Sequence, residues 1–158
     1  MKLFIKQHIF TWGDKFSVYD ENGNIRYTVE GEVFTFGKKL HLFDEYENEV
    51  AFIHQKLFSF LPSYFISRGG EDIAEVVKEF TFFKQEYTVE GLGWNVKGDF
   101  WDHEYSIYHN GVTVAQVSRE WFTLGDAYSI DIESSLDEVT VLSVVLVIDA
   151  VISAQRNN

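Results

Sequence analysis

The sequence predicts a mainly β fold, with about twelve antiparallel strands closed into a barrel around a hydrophobic C-terminal α-helix. Three observations predict it. From Leu3 to Ile132, short alternating apolar and polar runs are broken by Gly, Asn and Asp, the period-two pattern of half-buried strands. Aromatic residues make up 17% of the chain, a bias that suits pleated sheets. The most apolar stretch, VTVLSVVLVIDAVISAQ (Val139 to Gln155), lies near the end and has no Gly, Pro or Asn from Val139 to Ala154. That run is longer than strands of up to about ten residues, so it reads as a helix.

The strands follow in order. Leu3-Phe4-Ile5 opens the first, which ends before Trp12-Gly13-Asp14. Phe16 to Tyr19 is the second, and Asp20-Glu21-Asn22-Gly23-Asn24 turns the chain with an Asn-Gly pair, the strongest short hairpin signal. Ile25 to Phe34 and Leu40 to Phe43 follow, then Val50 to Lys56 after the polar turn Asp44 to Glu49. Tyr64-Phe65-Ile66 comes after Pro62, the one proline, and ends at Arg68-Gly69-Gly70. Glu71 to Phe80 has helical spacing at Ile73, Val76, Val77 and Phe80, but Gly69-Gly70 marks a hairpin tip, so Ile73 to Phe83 is read as strand. Glu86 to Val89, Trp94 to Val96, Tyr105 to Tyr108, Val112 to Val117 and Tyr128 to Ile132 complete the set, with Asn110-Gly111 as a second hairpin signal. Fragments recur: Tyr27 to Gly31 matches Tyr87 to Gly91. Tyr64 and Ile66 match Tyr128 and Ile130. Phe10 to Val18 matches Phe122 to Ile130. Two related β halves, or one corner geometry used twice, would produce such matches.

The final run is expected as a helix over about 136–155. Ser135-x-x-Glu138 before it is a capping-box pattern, and Asp137 and Glu138 suit the positive end of a helix. A membrane span needs roughly 20 apolar residues, and Asp149 would cost about 2.5–3.5 kcal/mol in hydrocarbon. The polar residues Thr140, Ser143, Asp149 and Ser153 do not gather into one broad face, so the helix reads as buried all round inside the barrel.

At 158 residues the chain suits a single domain spanning 1–158. The absence of cysteine rules out disulfides and thiolate metal sites and fits a reducing, cytoplasmic setting. The opening MKLFIKQHIF carries Lys6 and His8 inside its apolar run and reads as a strand rather than a signal peptide. A net charge of −12 argues against nucleic acid as a partner and against general attraction to anionic membranes. The five histidines make no ligand pair at metal spacing, and Asp102-His103-Glu104 reads as a polar turn. Asp44 to Glu49 lacks the loop spacing and central Gly of a calcium-binding EF-hand. No phosphate-binding Gly-rich loop or nucleophile elbow is present, so no cofactor, metal or catalytic residue is expected. Lys38, Lys39, Lys56 and Arg68 are the candidates for an anionic headgroup site, provided folding brings them together. Asp149, Ser135 and Glu138 are expected to be structural. Asp149 would sit near a barrel mouth accepting hydrogen bonds, or fix the helix register as a buried charge.

Three segments resemble the LURP-one-related proteins of the tubby C-terminal-like superfamily, which also includes the phospholipid scramblases. Val144-Val145-Leu146-Val147-Ile148-Asp149 resembles the family's apolar helix with its embedded Ile-Asp. Gly98-Asp99-Phe100-Trp101-Asp102-His103-Glu104-Tyr105-Ser106-Ile107 is similar to its mid-domain Gly-[Asn/Asp]-aromatic turn and strand. Trp12-Gly13-Asp14-Lys15-Phe16-Ser17-Val18 is similar to the first turn and second strand of small bacterial members. The resemblance covers essentially the whole chain. It implies a twelve-stranded barrel threaded by a C-terminal helix, in a family whose small members have no established activity and no known catalytic residues. Tubby domains bind phosphoinositides through a basic surface pocket, but no motif of that pocket can be carried onto this chain. The Cys- and Pro-rich regions of scramblases are also absent.

The expected function is therefore non-enzymatic: a binding or scaffold domain that meets a phospholipid headgroup or a protein partner with its rim loops. The alternative is a carrier of a small apolar ligand in a residual barrel cavity. A hydrolase is the weakest reading.

Overall fold

A computed structural model of the chain describes residues 1–6, 15–32, 36–79, 85–120 and 127–156. The strands are β1 (Lys2–Lys6), β2 (Lys15–Tyr19), β3 (Ile25–Gly31), β4 (Lys39–Asp44), β5 (Glu49–Gln55) and β6 (Ser63–Arg68). The second six are β7 (Glu71–Glu79), β8 (Glu86–Glu90), β9 (Trp94–Asp99), β10 (Glu104–His109), β11 (Val112–Glu120) and β12 (Ala127–Ile132), and the helix α1 (Glu138–Arg156) follows. Each strand pairs antiparallel with the next, and β12 closes on β1 with Ile5 opposite Tyr128. Closure removes every sheet edge. Glu71 to Glu79 is strand, as its Gly-Gly tip predicts, while Phe80, Trp12-Gly13-Asp14 and the Phe122 to Asp126 repeat lie outside the described residues.

The alternation puts one set of side chains inside. Val29, Leu42, Ile53, Val89, Ile107 and Val117 are fully buried on the inner wall. They meet a helix whose Val141, Leu142, Val144, Val145, Val147 and Ile148 are fully buried as well. With the buried Ser143 and Leu146 added, these positions point in every direction around the axis, so the helix has no solvent face over this length. Full burial of such a side chain is worth about 1.5–3 kcal/mol. That compensates the middling helix propensity of the β-branched residues. The helix is long and apolar enough to cross a membrane, and it lies inside the barrel.

The helix start differs from the capping-box expectation. Ser135 lies exposed in the preceding turn, and Asp137 is the cap: its Oδ1 accepts from the Val139 amide at 3.3 Å and its Oδ2 accepts from the Thr140 hydroxyl at 2.7 Å. Glu138 does not fold back onto Ser135. It accepts from the Tyr27 hydroxyl and from Arg26 Nε at 2.6 Å, tying the helix entrance to β3. Arg68 donates to Asp137 and, at 3.2 Å, to the Thr140 hydroxyl.

The two ends of the barrel differ. The helix enters at the end formed by short hairpin turns. In two of them an Asp side chain caps the turn: Asp20 Oδ1 accepts from the Asn22 and Asn24 amides, and Asp44 Oδ1 from those of Tyr46 and Asn48, all at 2.9 Å. The opposite end carries the described connecting residues 32, 36–38, 56–62, 85 and 100–103, together with the end of β1, the start of β2, the end of β7, the start of β8, the end of β11 and the start of β12. These are the turn end and the loop end of the barrel.

Candidate functional site at the loop end

Even-numbered strands enter the barrel from the loop end. The second residues of β6, β8, β10 and β12 are Tyr64, Tyr87, Tyr105 and Tyr128, all buried and turned inward. They form a tyrosine layer around the second half of the helix, where Asp149 lies. The Tyr128 hydroxyl donates to Asp149 Oδ2. His103, in the β9–β10 turn at φ 54°, is buried and stacks on Tyr128 with ring centroids 4.3 Å apart and planes 7° apart. Its Nδ1 lies 3.8 Å from Asp149 Oδ1. Phe100 packs between Tyr87 and Tyr105, with centroids 4.9 Å from each. Burial raises the phenol pKa of all four tyrosines, and the Asp149 charge adds to this for Tyr87, Tyr105 and Tyr128. Asp102 and His103 thus lie in a turn, as the sequence reads, with Glu104 opening β10, but the histidine belongs to the interior.

Above this layer stand the loops. Lys38 leads into β4 and is bracketed by Gln55: its amide donates to Gln55 Oε1 at 3.1 Å and its carbonyl accepts from the Gln55 amide at 2.9 Å. Partial burial lowers the Lys38 ammonium pKa. Lys39 opens β4 opposite His54. Lys56 follows β5, bonds Glu75 at 3.2 Å and lies over the Phe65 ring. These three lysines share the loop end. Arg68 does not join them: Lys56 is bonded to Ser63 at the start of β6, and Arg68 lies five residues further along it, about 17 Å away at the turn end. The expected four-residue cluster is therefore corrected to three lysines, with Arg68 holding the helix cap.

Sequence reasoning did not single out what surrounds those lysines. Phe36, Leu57, Phe58 and Phe60 project from the two neighbouring loops, and Phe36, Phe58 and Phe60 are 75%, 96% and 95% exposed. The Phe36 and Phe58 rings are 6.4 Å apart, and Leu57 lies over Gly37, joining the loops. Trp101 adds a further partly exposed ring at the same end. The turn end has exposed apolar residues too, but they are scattered singly as Met1, Ile25, Tyr46 and Val112.

Charge is divided just as unevenly. The turn half carries Lys2, Arg26 and Arg68 as its basic side chains, against carboxylates in turn after turn, from Asp20-Glu21 through Asp44-Glu45 and Glu71-Asp72 to Asp137-Glu138. The loop half carries the other described basic side chains, Lys6, Lys15, Lys38, Lys39, Lys56, Lys78, Lys97 and Arg119, which nearly balance its acids. Most of the net −12 therefore belongs to one end of the molecule.

The comparisons agree with this architecture. A protein of Bacillus subtilis (strain 168), named "Uncharacterized protein YxjI", is 34% identical over 152 residues, covering 96% of this chain and 94% of that protein. The X-ray structure of a protein from Arabidopsis thaliana superposes with a TM-score of 0.69 at 19% identity, over 95% of this chain and 91% of that one, which is a likeness of fold. Neither name specifies a catalytic activity. The LURP-one-related family matches residues 1–149, and with the barrel, its helix and the B. subtilis relative in place, this chain belongs to that family.

Proposed function

We propose that this chain is a non-enzymatic recognition module of the cytoplasm that meets phospholipid headgroups with the loop end of its barrel. The observation that carries this reading is the unequal charge: Lys38, Lys39 and Lys56 stand at the end where acids and bases nearly balance. An anionic phosphate beside Lys38 offsets the desolvation that depresses its pKa. The helix occupies the barrel axis, so the apolar-carrier reading gains no support from the interior.

Vesicle flotation at low salt tests the proposal. Vesicles containing phosphatidylglycerol or a phosphoinositide should carry the protein upward, and Lys38→Glu/Lys39→Glu should reduce that fraction several-fold. No flotation with any anionic lipid overturns the reading and leaves a protein partner for the rim.

A further inference from the structure

We infer that the paired loops bearing Phe36, Leu57, Phe58 and Phe60 insert into the apolar boundary of a phospholipid bilayer, seating the barrel end-on with its acidic turns facing away. This rests on the proposed function and deepens it: headgroups are met by lysines, while apolar insertion supplies most of the affinity.

Three observations carry it. First, among the described residues, three largely exposed phenyl rings stand on adjacent loops at one end, while exposed apolar residues at the turn end are scattered. Aromatic rings beside basic residues suit the membrane boundary, where one face is apolar and the other wet.

Second, the base of the loop is fixed and its tip holds a left-handed residue. Phe58 is held at φ 60°, a left-handed conformation uncommon for a bulky residue. The bond from the Lys56 amide to the Ser63 carbonyl, 2.9 Å, fixes the base of that loop. The Ser59 hydroxyl donates to the Leu61 carbonyl at 2.6 Å, and Lys78 donates its amide to the Pro62 carbonyl at 3.1 Å. Strain kept at an exposed aromatic points to a use for that aromatic.

Third, the overall charge of −12 does not oppose this geometry. The nine residues of β7 span about 27 Å, and physiological salt screens charge over about 8 Å. An anionic bilayer at the loop end therefore feels the nearly balanced half rather than the acidic pole.

The test uses the full chain with vesicles of phosphatidylcholine alone and of phosphatidylcholine with phosphatidylglycerol, at low and high salt. The chain has no cysteine, so Ser59→Cys gives a unique site for an environment-sensitive dye at the loop tip. Insertion predicts a blue shift of that dye on vesicle addition and flotation that survives high salt. Each lost phenyl should weaken partitioning at least about tenfold, so Phe58→Ser/Phe60→Ser should weaken it about a hundredfold. Tyr46→Ser, removing an exposed ring at the turn end, should change nothing.

If binding to anionic vesicles vanishes in high salt, ignores the double Phe variant and leaves the dye unshifted, insertion is overturned and the headgroup reading stands. If folded protein, verified by circular dichroism, binds no vesicle under any condition, both are overturned.

Discussion

Raising the pH should unfold the barrel through its tyrosines. Tyr64, Tyr87, Tyr105 and Tyr128 are each at most 3% exposed, and burial holds their phenol pKa values well above the ordinary 10.0. In the unfolded chain they titrate near that ordinary value. Above pH 10 the unfolded state therefore binds fewer protons than the folded one, and stability falls as pH rises; below pH 10 the four groups contribute no pH dependence. At pH 11, one unit above the unfolded pKa, each protected tyrosine favours unfolding by about 1.4 kcal/mol. Four together amount to about 5–6 kcal/mol, comparable to the entire stability of an ordinary domain at about 5–15 kcal/mol. Tyrosinate absorbance and far-ultraviolet circular dichroism should be followed on one sample from pH 9 upward. The signal of the four buried tyrosines should appear in one cooperative step together with loss of the strand signal between about pH 11 and 12. Smooth ionisation of all 8 tyrosines with the strand signal intact would refute both the burial argument and the layer it describes.

Two further perturbations probe the frame of the same end. Gly98 sits at φ +142°, where an added Cβ would lie 2.6 Å from both the Glu104 carbonyl oxygen and the Tyr105 Cα. These are backbone atoms that cannot swing aside, so Gly98→Ala should cost on the order of 3 kcal/mol in urea unfolding, and a shift below about 1 kcal/mol would contradict the close approach. Asp149→Leu strips the buried Tyr128 hydroxyl of its acceptor and should cost about 1–3 kcal/mol, with Asp149→Asn milder and Tyr128→Phe/Asp149→Leu recovering part of the loss; equal midpoints for the single and double Leu variants would show that the hydrogen bond is not what Asp149 supplies.

The elements that local chemistry specifies were legible in the sequence. Asn22-Gly23 and Asn110-Gly111 turn the chain where those pairs demand it, and the run from Val139 is the plug its unbroken hydrophobicity implies. What was not legible depended on distance through the fold. The capping pattern at Ser135 was satisfied on paper, but Glu138 finds stronger partners in Arg26 and Tyr27, more than a hundred residues earlier, and Asp137 takes the cap. Arg68 looked like a companion of Lys56, and only the strand direction of β6 shows them at opposite ends. The segment Leu57-Phe58-Ser59-Phe60-Leu61 is apolar at four of five positions, as a buried segment would be, and no local rule reveals that its rings face water. Tyr64 and Tyr128 occupy matching places in an internal repeat, but Tyr87 and Tyr105 join their layer only once successive strands wrap round the helix.

The division of charge follows from the topology itself. In a twelve-stranded meander every second connection falls at the same end, and tight connections select Asp, Asn and Gly for their conformational tolerance and side-chain bonds to the backbone. A barrel with its tight turns at one end therefore collects carboxylates there for reasons of folding rather than binding. Asp20 and Asp44 show this directly, since each is engaged by the backbone amides of its own turn. The longer connections at the other end are released from that demand and can carry lysines and exposed rings. Net charge, read from composition, mixes the two ends into one number and gives a repulsion that no partner at the loop end would feel. For a closed barrel built this way, the physically meaningful quantity is the charge of each end taken separately, and here the loop end is nearly balanced and carries exposed aromatic rings.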